Sequence, residues 1–335
     1  MRGGVRRPID LARRQLILVG GKGGVGKTTV AAATAACLAR KKPKQRVLLF
    51  STDPAHSLAD SLSQEVGSTA TEVAGVDGLF AMAMNAAELL EDFKNEYAGE
   101  IRDFWEGGGK GSIEVQFDGR VMEELLALTP PGIDELVALM EIMSFMENGD
   151  FDRCVLDLAP TGHALRLLEM PGVMRQWFTL FLKLLLKYDQ VLRVPRLSEL
   201  VRRESKRVRS VQKLLTDPER CAFVTVAIPE AMAVLETKRL LDRLAELSVP
   251  YAGLVVNMVM PRTQCPFCAA VREEQERHIS ELDGVAPGFV SVPLFPYEVT
   301  GIDALAEMAG TIYGETHGRR KKRTDRLARA ESARS

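Results

Sequence analysis

Gly20-Gly21-Lys22-Gly23-Gly24-Val25-Gly26-Lys27-Thr28-Thr29 follows the apolar run Leu16-Ile17-Leu18-Val19 and leads into an alanine-rich stretch ending at Leu38. From Gly21 onward the residues fit the spacing G-x-x-x-x-G-K-[ST], in which glycines let backbone N–H groups turn inward around a β-phosphate. Lys27 adds a point charge, and the Thr28 hydroxyl is suited to Mg²⁺. The motif requires a strand before it and a helix after it. Leu16 to Val19 supplies the strand, and Thr28 to Leu38 a helix whose N-terminus faces the phosphates. Gly21, Lys22, Gly23, Gly24, Val25, Gly26, Lys27, Thr28 and Thr29 are therefore read as nucleotide-binding residues, with ATP or ADP and Mg²⁺ as ligands. A bare glycine-rich turn would not need both flanks.

Lys22 lies inside the loop, in addition to Lys27 at its end. The loop backbone already occupies the near side of its own phosphates, so Lys22 is free to reach a nucleotide held by a facing subunit. A solvated surface lysine is the bland alternative. A second buried run, Val47-Leu48-Leu49-Phe50, ends in Thr52-Asp53-Pro54-Ala55-His56-Ser57. An acidic residue at the carboxyl end of a parallel strand lies where ligands sit in open α/β sheets. Asp53 is thus expected to orient or deprotonate the water attacking the γ-phosphate, or else to cap the helix starting near Pro54. A third run, Cys154-Val155-Leu156-Asp157-Leu158, places Asp157 as the second Mg²⁺ anchor. Gly162, four residues past Leu158, is expected to act as the pivot of a switch loop, with a helix following to Met170.

Further strands are expected at Leu79 to Met84, Ala222 to Ile228, Gly253 to Met258 and Phe289 to Val292, with a helix from Ala231 to Leu247. Alternation of strands and helices predicts an α/β fold built on one mostly parallel, doubly wound sheet. Helices are expected over Asn85 to Trp105 and Val121 to Asn148, joined by the mobile link Gly107-Gly108-Gly109-Lys110-Gly111. Met122, Met140, Met143 and Met146 in the second of these suit either an ordinary core or an adaptable apolar surface. Gly172 to Leu192 is apolar on nearly every face, interrupted by Lys183 and Lys187, so it is either buried all round or exposes a face to something apolar. Arg202 to Arg209 reads as a solvated basic helix face.

The chain has 335 residues, 46% of them hydrophobic, and a formal net charge of −1, which argues against nucleic acid as a bulk partner. Five cysteines are too few for a disulfide framework and suit a reducing cytosol. No signal peptide is recognisable, and no apolar run of about 18 uncharged residues is long enough to span a bilayer. Cys265-Pro266-Phe267-Cys268 has the spacing of half a tetrahedral zinc site. Its other half would be His278 or the same pair of a second chain across a two-fold axis, with a redox pair or two reduced thiols as alternatives. Cys37, Cys154 and Cys221 lie in apolar contexts and read as core. Arg319 to Arg329 is a basic run on a low-complexity terminus, expected to be disordered.

The loop with Lys22, the Asp53-to-Ser57 segment, the Asp157-to-His163 segment and the Cys265/Cys268 pair together resemble the ATPases of the arsenite pump and of guided entry of tail-anchored membrane proteins. The likeness runs from about Gln15 to Gly314. It implies a P-loop NTPase of the deviant Walker A class with an inserted α-helical subdomain. The implied organisation is an N-terminal extension over 1–14, an ATPase domain over 15–314 with helical insertions at about 85–149 and 172–216, and a tail over 315–335. By the same resemblance Lys22 reaches the partner's nucleotide, Asp53 positions water, and Thr28 with Asp157 manages Mg²⁺. Asn257 matches an adenine-reading asparagine, Pro293-Leu294-Phe295 would cover the base, and Glu230 would lie near the dimer's nucleotide interface. Leu158 departs from the threonine that relatives usually carry.

A single phosphate loop, one cysteine pair and an apolar insert look more like the targeting branch, in which ATP closes a homodimer and assembles a groove for hydrophobic transmembrane segments, released to a membrane receptor. The alternative is a subunit energising arsenite or antimonite efflux through a transporter. A spatial organiser is disfavoured by the lack of a terminal amphipathic helix, and an electron donor by the lack of a cluster-ligating cysteine in the switch segment that follows Asp157.

Overall fold

A computed structural model describes residues 9–52, 57–83, 91, 133–192, 195–283, 285–286 and 288–314. Eight strands form one sheet in the order β3-β4-β2-β5-β1-β6-β7-β8. They are β1 (Leu16–Gly21), β2 (Val47–Ser51), β3 (Thr71–Glu72), β4 (Leu79–Ala83), β5 (Arg153–Asp157), β6 (Cys221–Ala227), β7 (Tyr251–Val259) and β8 (Phe289–Pro293). Each neighbouring pair is parallel except the short edge pair β3–β4. That edge strand, a two-residue piece exposed at both positions, carries no apolar run and so gave no signal in the sequence.

Helices cover both faces. Among the described residues these are α1 (Lys27–Lys41), α2 (Ser57–Leu62), α3 (Ile133–Glu147), α4 (Thr161–Leu192), α5 (Pro195–Thr216), α6 (Ala231–Glu246), α7 (Pro266–Leu282) and α8 (Gly301–Tyr313). Because a strand's side chains alternate between faces, β1 divides its apolar run between two cores. Leu16 and Leu18 pack with Leu48, Phe50, Leu156 and Phe223 beneath α3, α4 and α5. Ile17 and Val19 pack with Val155, Val224 and the alanines of α1 beneath α8. Both sets are sealed from water, so the strands read as unbroken apolar runs rather than alternating ones. Alanines 31, 32, 33, 35, 36 and 39 are fully buried, and their small side chains let α1 lie close to the sheet.

The chain leaves β1 toward β2 and β4, returns through β5 beside β1, and departs to the other side through β6, β7 and β8. Connections diverge at the carboxyl ends of β1 and β5, where open α/β sheets bind ligands. Register sharpens the point: Val19 and Ser51 both pair with Asp157, and Gly21 pairs with Val226.

The helix expected to end at Met170 and the separate one expected from Gly172 are a single 32-residue helix, α4, with Pro171 inside it. Proline removes one N–H and crowds the preceding turn, which costs a free helix several kcal/mol, about 3 or more. Here buried Leu167, Leu168, Met170, Met174 and Phe178 flank the proline, and their packing outweighs that local preference. Gly162 also departs from expectation, because it sits in the first turn of α4. It is part of the helix, and the loop after Asp157 shortens to Leu158–Pro160. Met140 and Met143 are core, with Met146 packed against it. The basic run of α5 is exposed on one side, but Glu204 within it is buried and ion-paired with Arg203 at 2.8 Å and Arg207 at 3.2 Å. Residue 91 apart, the predicted helix over Asn85 to Trp105 lies outside the described residues, as do the glycine link at 107–111, Met122 and the basic tail.

Candidate nucleotide site

The loop between β1 and α1 is shaped by contacts that exclude side chains. Gly26 caps α1 in the left-handed region, with φ 88°, where an L side chain is sterically disfavoured. A Cβ there would stand 2.5 Å from Asn257 Nδ2. A Cβ on Gly21 would stand 2.1 Å from the Val226 carbonyl oxygen. The spacing of the motif is thus enforced by β6 and β7 as well as by the loop itself. No acidic side chain of α1 itself occupies its first turn, so the first-turn N–H groups, which have no partner within the helix, and the positive end of the helix dipole face the crevice. Lys27 is buried, and its Nζ donates to the Lys22 carbonyl at 3.1 Å, which holds the ammonium across the loop.

Thr28 Oγ1 donates to Asp157 Oδ2 at 2.8 Å. Ser51 Oγ donates to the same carboxylate oxygen at 3.4 Å, and Ser57 Oγ lies 3.5 Å from Thr28 Oγ1. Two hydroxyls therefore converge on one buried carboxylate, with the Ser57 hydroxyl behind Thr28, an all-oxygen donor set that fits Mg²⁺ and not a soft metal. Thr28 and Asp157 would hold the ion, directly or through water, and it would neutralise charge on the β- and γ-phosphates. Ser51 and Ser57 were not singled out from the sequence. Ser51 ends β2 level with Asp157, and only the strand register places it there.

Lys22 is half-buried and lines a shallow cleft with Val226, Ala233, Glu236 and Thr237 of β6 and α6. Asn257 is buried at the end of β7, and its Nδ2 donates to the Val25 carbonyl at 3.0 Å. The asparagine matched to the base is therefore also a strut for the phosphate loop. Pro293 and Leu294 are exposed beside it, with Leu294 N–H bonded to the Val259 carbonyl at 2.8 Å. Glu230 is the exposed N-cap residue of α6 and makes no side-chain cap. Leu158 is buried, and its N–H bonds to the Val19 carbonyl at 3.0 Å. Gly23 faces the short loop after β5, its Cβ position 4.0 Å from Pro160. Asp53, with Pro54 to His56, lies outside the described residues.

Cys265 caps α7 and Cys268 lies in its first turn. The Cys265 thiol is held below its ordinary value, first by the N–H of Cys268, then by the Cys268 thiol and the N–H of Phe267. His278 does not complete a ligand set with them: it lies ten residues on from Cys268, about 15 Å along the same helix at 1.5 Å per residue, between Glu274 and Glu281. No cluster of three or more His, Cys, Asp or Glu suited to a metal occurs among the described residues. The remaining cysteines are buried as expected, and burial pushes the Cys221 thiol up to about 12. No helix among the described residues is long and apolar enough to cross a membrane.

Comparison with known proteins identifies similar chains. The chain is 34% identical over 330 residues to the ATPase GET3B of Arabidopsis thaliana, covering 90% of this chain and 79% of that protein. It is 32% identical to the ATPase GET3 of Podospora anserina, covering 90% and 91%, and 31% identical to an ATPase ASNA1 homolog of Dictyostelium discoideum, covering 89% of each. The model of one family, described as anion-transporting ATPase, matches residues 14–314, the stretch that holds the phosphate loop, the Thr28–Asp157 pair and the cysteine pair. The chain belongs to the anion-transporting ATPase family.

Proposed function

We propose that this chain is a homodimeric, Mg²⁺-dependent ATPase that couples ATP binding and hydrolysis to capture and release of hydrophobic, tail-anchored membrane-protein segments. The observation that carries this is the continuity of α4. It begins four residues after Asp157 and runs on for 32 residues, about 48 Å at 1.5 Å per residue. Beyond Pro171 it buries Met174 and Phe178 but exposes Val173 and Leu180, the latter 66% exposed. A change beside the γ-phosphate therefore has a rigid element through which to move an apolar face.

In the dimer, Lys22 would leave its cleft and add positive charge at the partner's triphosphate, where Glu230 would flank the interface. Asp53 would position the attacking water, while Asn257, Pro293 and Leu294 would frame the base. Cys265 and Cys268 of both protomers would offer four sulfurs to Zn²⁺ at the two-fold axis, an appropriate soft set with one thiol already inclined to ionise. A membrane receptor would then accept the released segment. The test is whether the purified protein, with a non-hydrolysable ATP analogue and Mg²⁺, keeps a tail-anchored helix in solution. Aggregation of the helix at the rate seen without protein would defeat the proposal.

The second reading, energising arsenite or antimonite efflux, is favoured by the family's description as anion-transporting. Weighing against it, Cys37, Cys154 and Cys221 are buried on three different elements. Stimulation of ATP turnover by arsenite would support it, and an unchanged rate would count against it.

A further inference from the structure

The end of β7 departs from strand geometry at Met258, whose φ of 56° puts a non-glycine residue in the left-handed region. Pairing with β8 shifts register between Val256 and Val259, so this is a bulge. Such a conformation persists only where its surroundings hold it. The holder is on α7. Gln275 donates from Nε2 to the Met258 carbonyl at 3.3 Å and accepts at Oε1 from the Met260 N–H at 2.7 Å. One side-chain amide thus replaces the ladder partners that the bulge lacks. Arg272, one turn earlier, donates to the Met260 carbonyl at 2.9 Å and is itself fixed by Glu276 at 3.0 Å.

Asn257 immediately precedes the clamped residue, and its amide reaches the phosphate loop at Val25. The clamped carbonyl belongs to the peptide between Met258 and Val259; acting through the left-handed φ of Met258, it constrains the preceding peptide, which Asn257 shares, and hence the direction in which the Asn257 side chain leaves the strand. An asparagine amide is complementary to the donor and acceptor on the 6-amino and N7 edge of adenine, whereas guanine presents two acceptors there. A small error in aim would therefore be felt in base recognition before phosphate binding.

We infer that Gln275 is a positioning residue for nucleotide selection: through the Met258 bulge it aims Asn257 at the base, and preference for ATP over GTP depends on it. This rests on Asn257 reading the base, as proposed above. The test compares ATP and GTP turnover by the full-length protein with Gln275→Ala, Gln275→Ala with Met258→Gly, and Asn257→Ala.

Loss of two hydrogen bonds should raise KM for ATP about tenfold, with kcat little changed and the ATP-to-GTP preference falling by the same factor. Glycine adopts positive φ without steric cost, so Met258→Gly in the Gln275→Ala background should restore most of the preference. Gln275→Ala that lowers the melting temperature but leaves the preference intact would overturn the inference, and so would failure of glycine to restore it. Asn257→Ala separates the causes: if it abolishes the preference while Gln275→Ala does not, the clamp is wrong, and if it too leaves the preference intact, base reading by Asn257 is wrong as well.

Discussion

Gly26→Ala perturbs the site in two separable ways. Its φ of 88° costs an L residue about 1–2 kcal/mol. Its new Cβ, 2.5 Å from Asn257 Nδ2, expels that side chain and breaks the bond to Val25, worth about 1 kcal/mol. Together these make the nucleotide-competent loop about 2–3 kcal/mol harder to populate, which weakens apparent ADP affinity roughly 30- to 150-fold. Gly24 provides the control. It too has positive φ, 77°, but nothing lies within 4 Å of its Cβ position, so Gly24→Ala should lose only about tenfold. Calorimetric titration with Mg-ADP measures both. In a double-mutant cycle, Asn257→Ala should remove about 1 kcal/mol of the Gly26→Ala penalty. Equal losses for the two glycines, with no coupling to position 257, would refute the proposed contact between the loop and β7.

Asp157→Asn should cut Mg²⁺-dependent turnover by about a hundredfold or more while ADP binding measured without Mg²⁺ persists; full activity would remove Asp157 from the metal site. Cys265 should alkylate with a midpoint below the usual thiol range near 8.5, because amide N–H groups and the Cys268 thiol favour its thiolate. A depressed folded pKa stabilises the fold above the unfolded value, and that contribution is lost as pH falls through the folded one. Mass spectrometry after iodoacetamide at graded pH reads the midpoint, and an ordinary midpoint would contradict the helix-terminus geometry. Burial should leave Cys154 and Cys221 unlabelled.

The strands, the phosphate loop and the positions of Thr28 and Asp157 were legible because each depends on a contiguous run of residues. Leu16 to Val19 is apolar throughout since both its faces are buried, and the motif after it is local. What was not legible depended on packing between distant segments. The sequence around Pro171 reads as a helix break, because nothing local announces that Met174 and Phe178 dock on the core and carry α4 through. Ser51 gained its place beside Asp157 from register alone. Asn257 was reached by resemblance, but its bond to Val25 joins residues 232 positions apart. The Gln275 clamp likewise needs α7 to lie against β7, and no spacing within Cys265 to Leu282 signals that.

The central claim is that each of two facing chains completes the other's triphosphate site. It is tested most directly by the turnover of Lys22→Ala. Turnover should fall about a hundredfold or more, with Mg-ADP affinity essentially retained, because Lys27 supplies the ammonium held across its own loop. Turnover at the unsubstituted rate would contradict it.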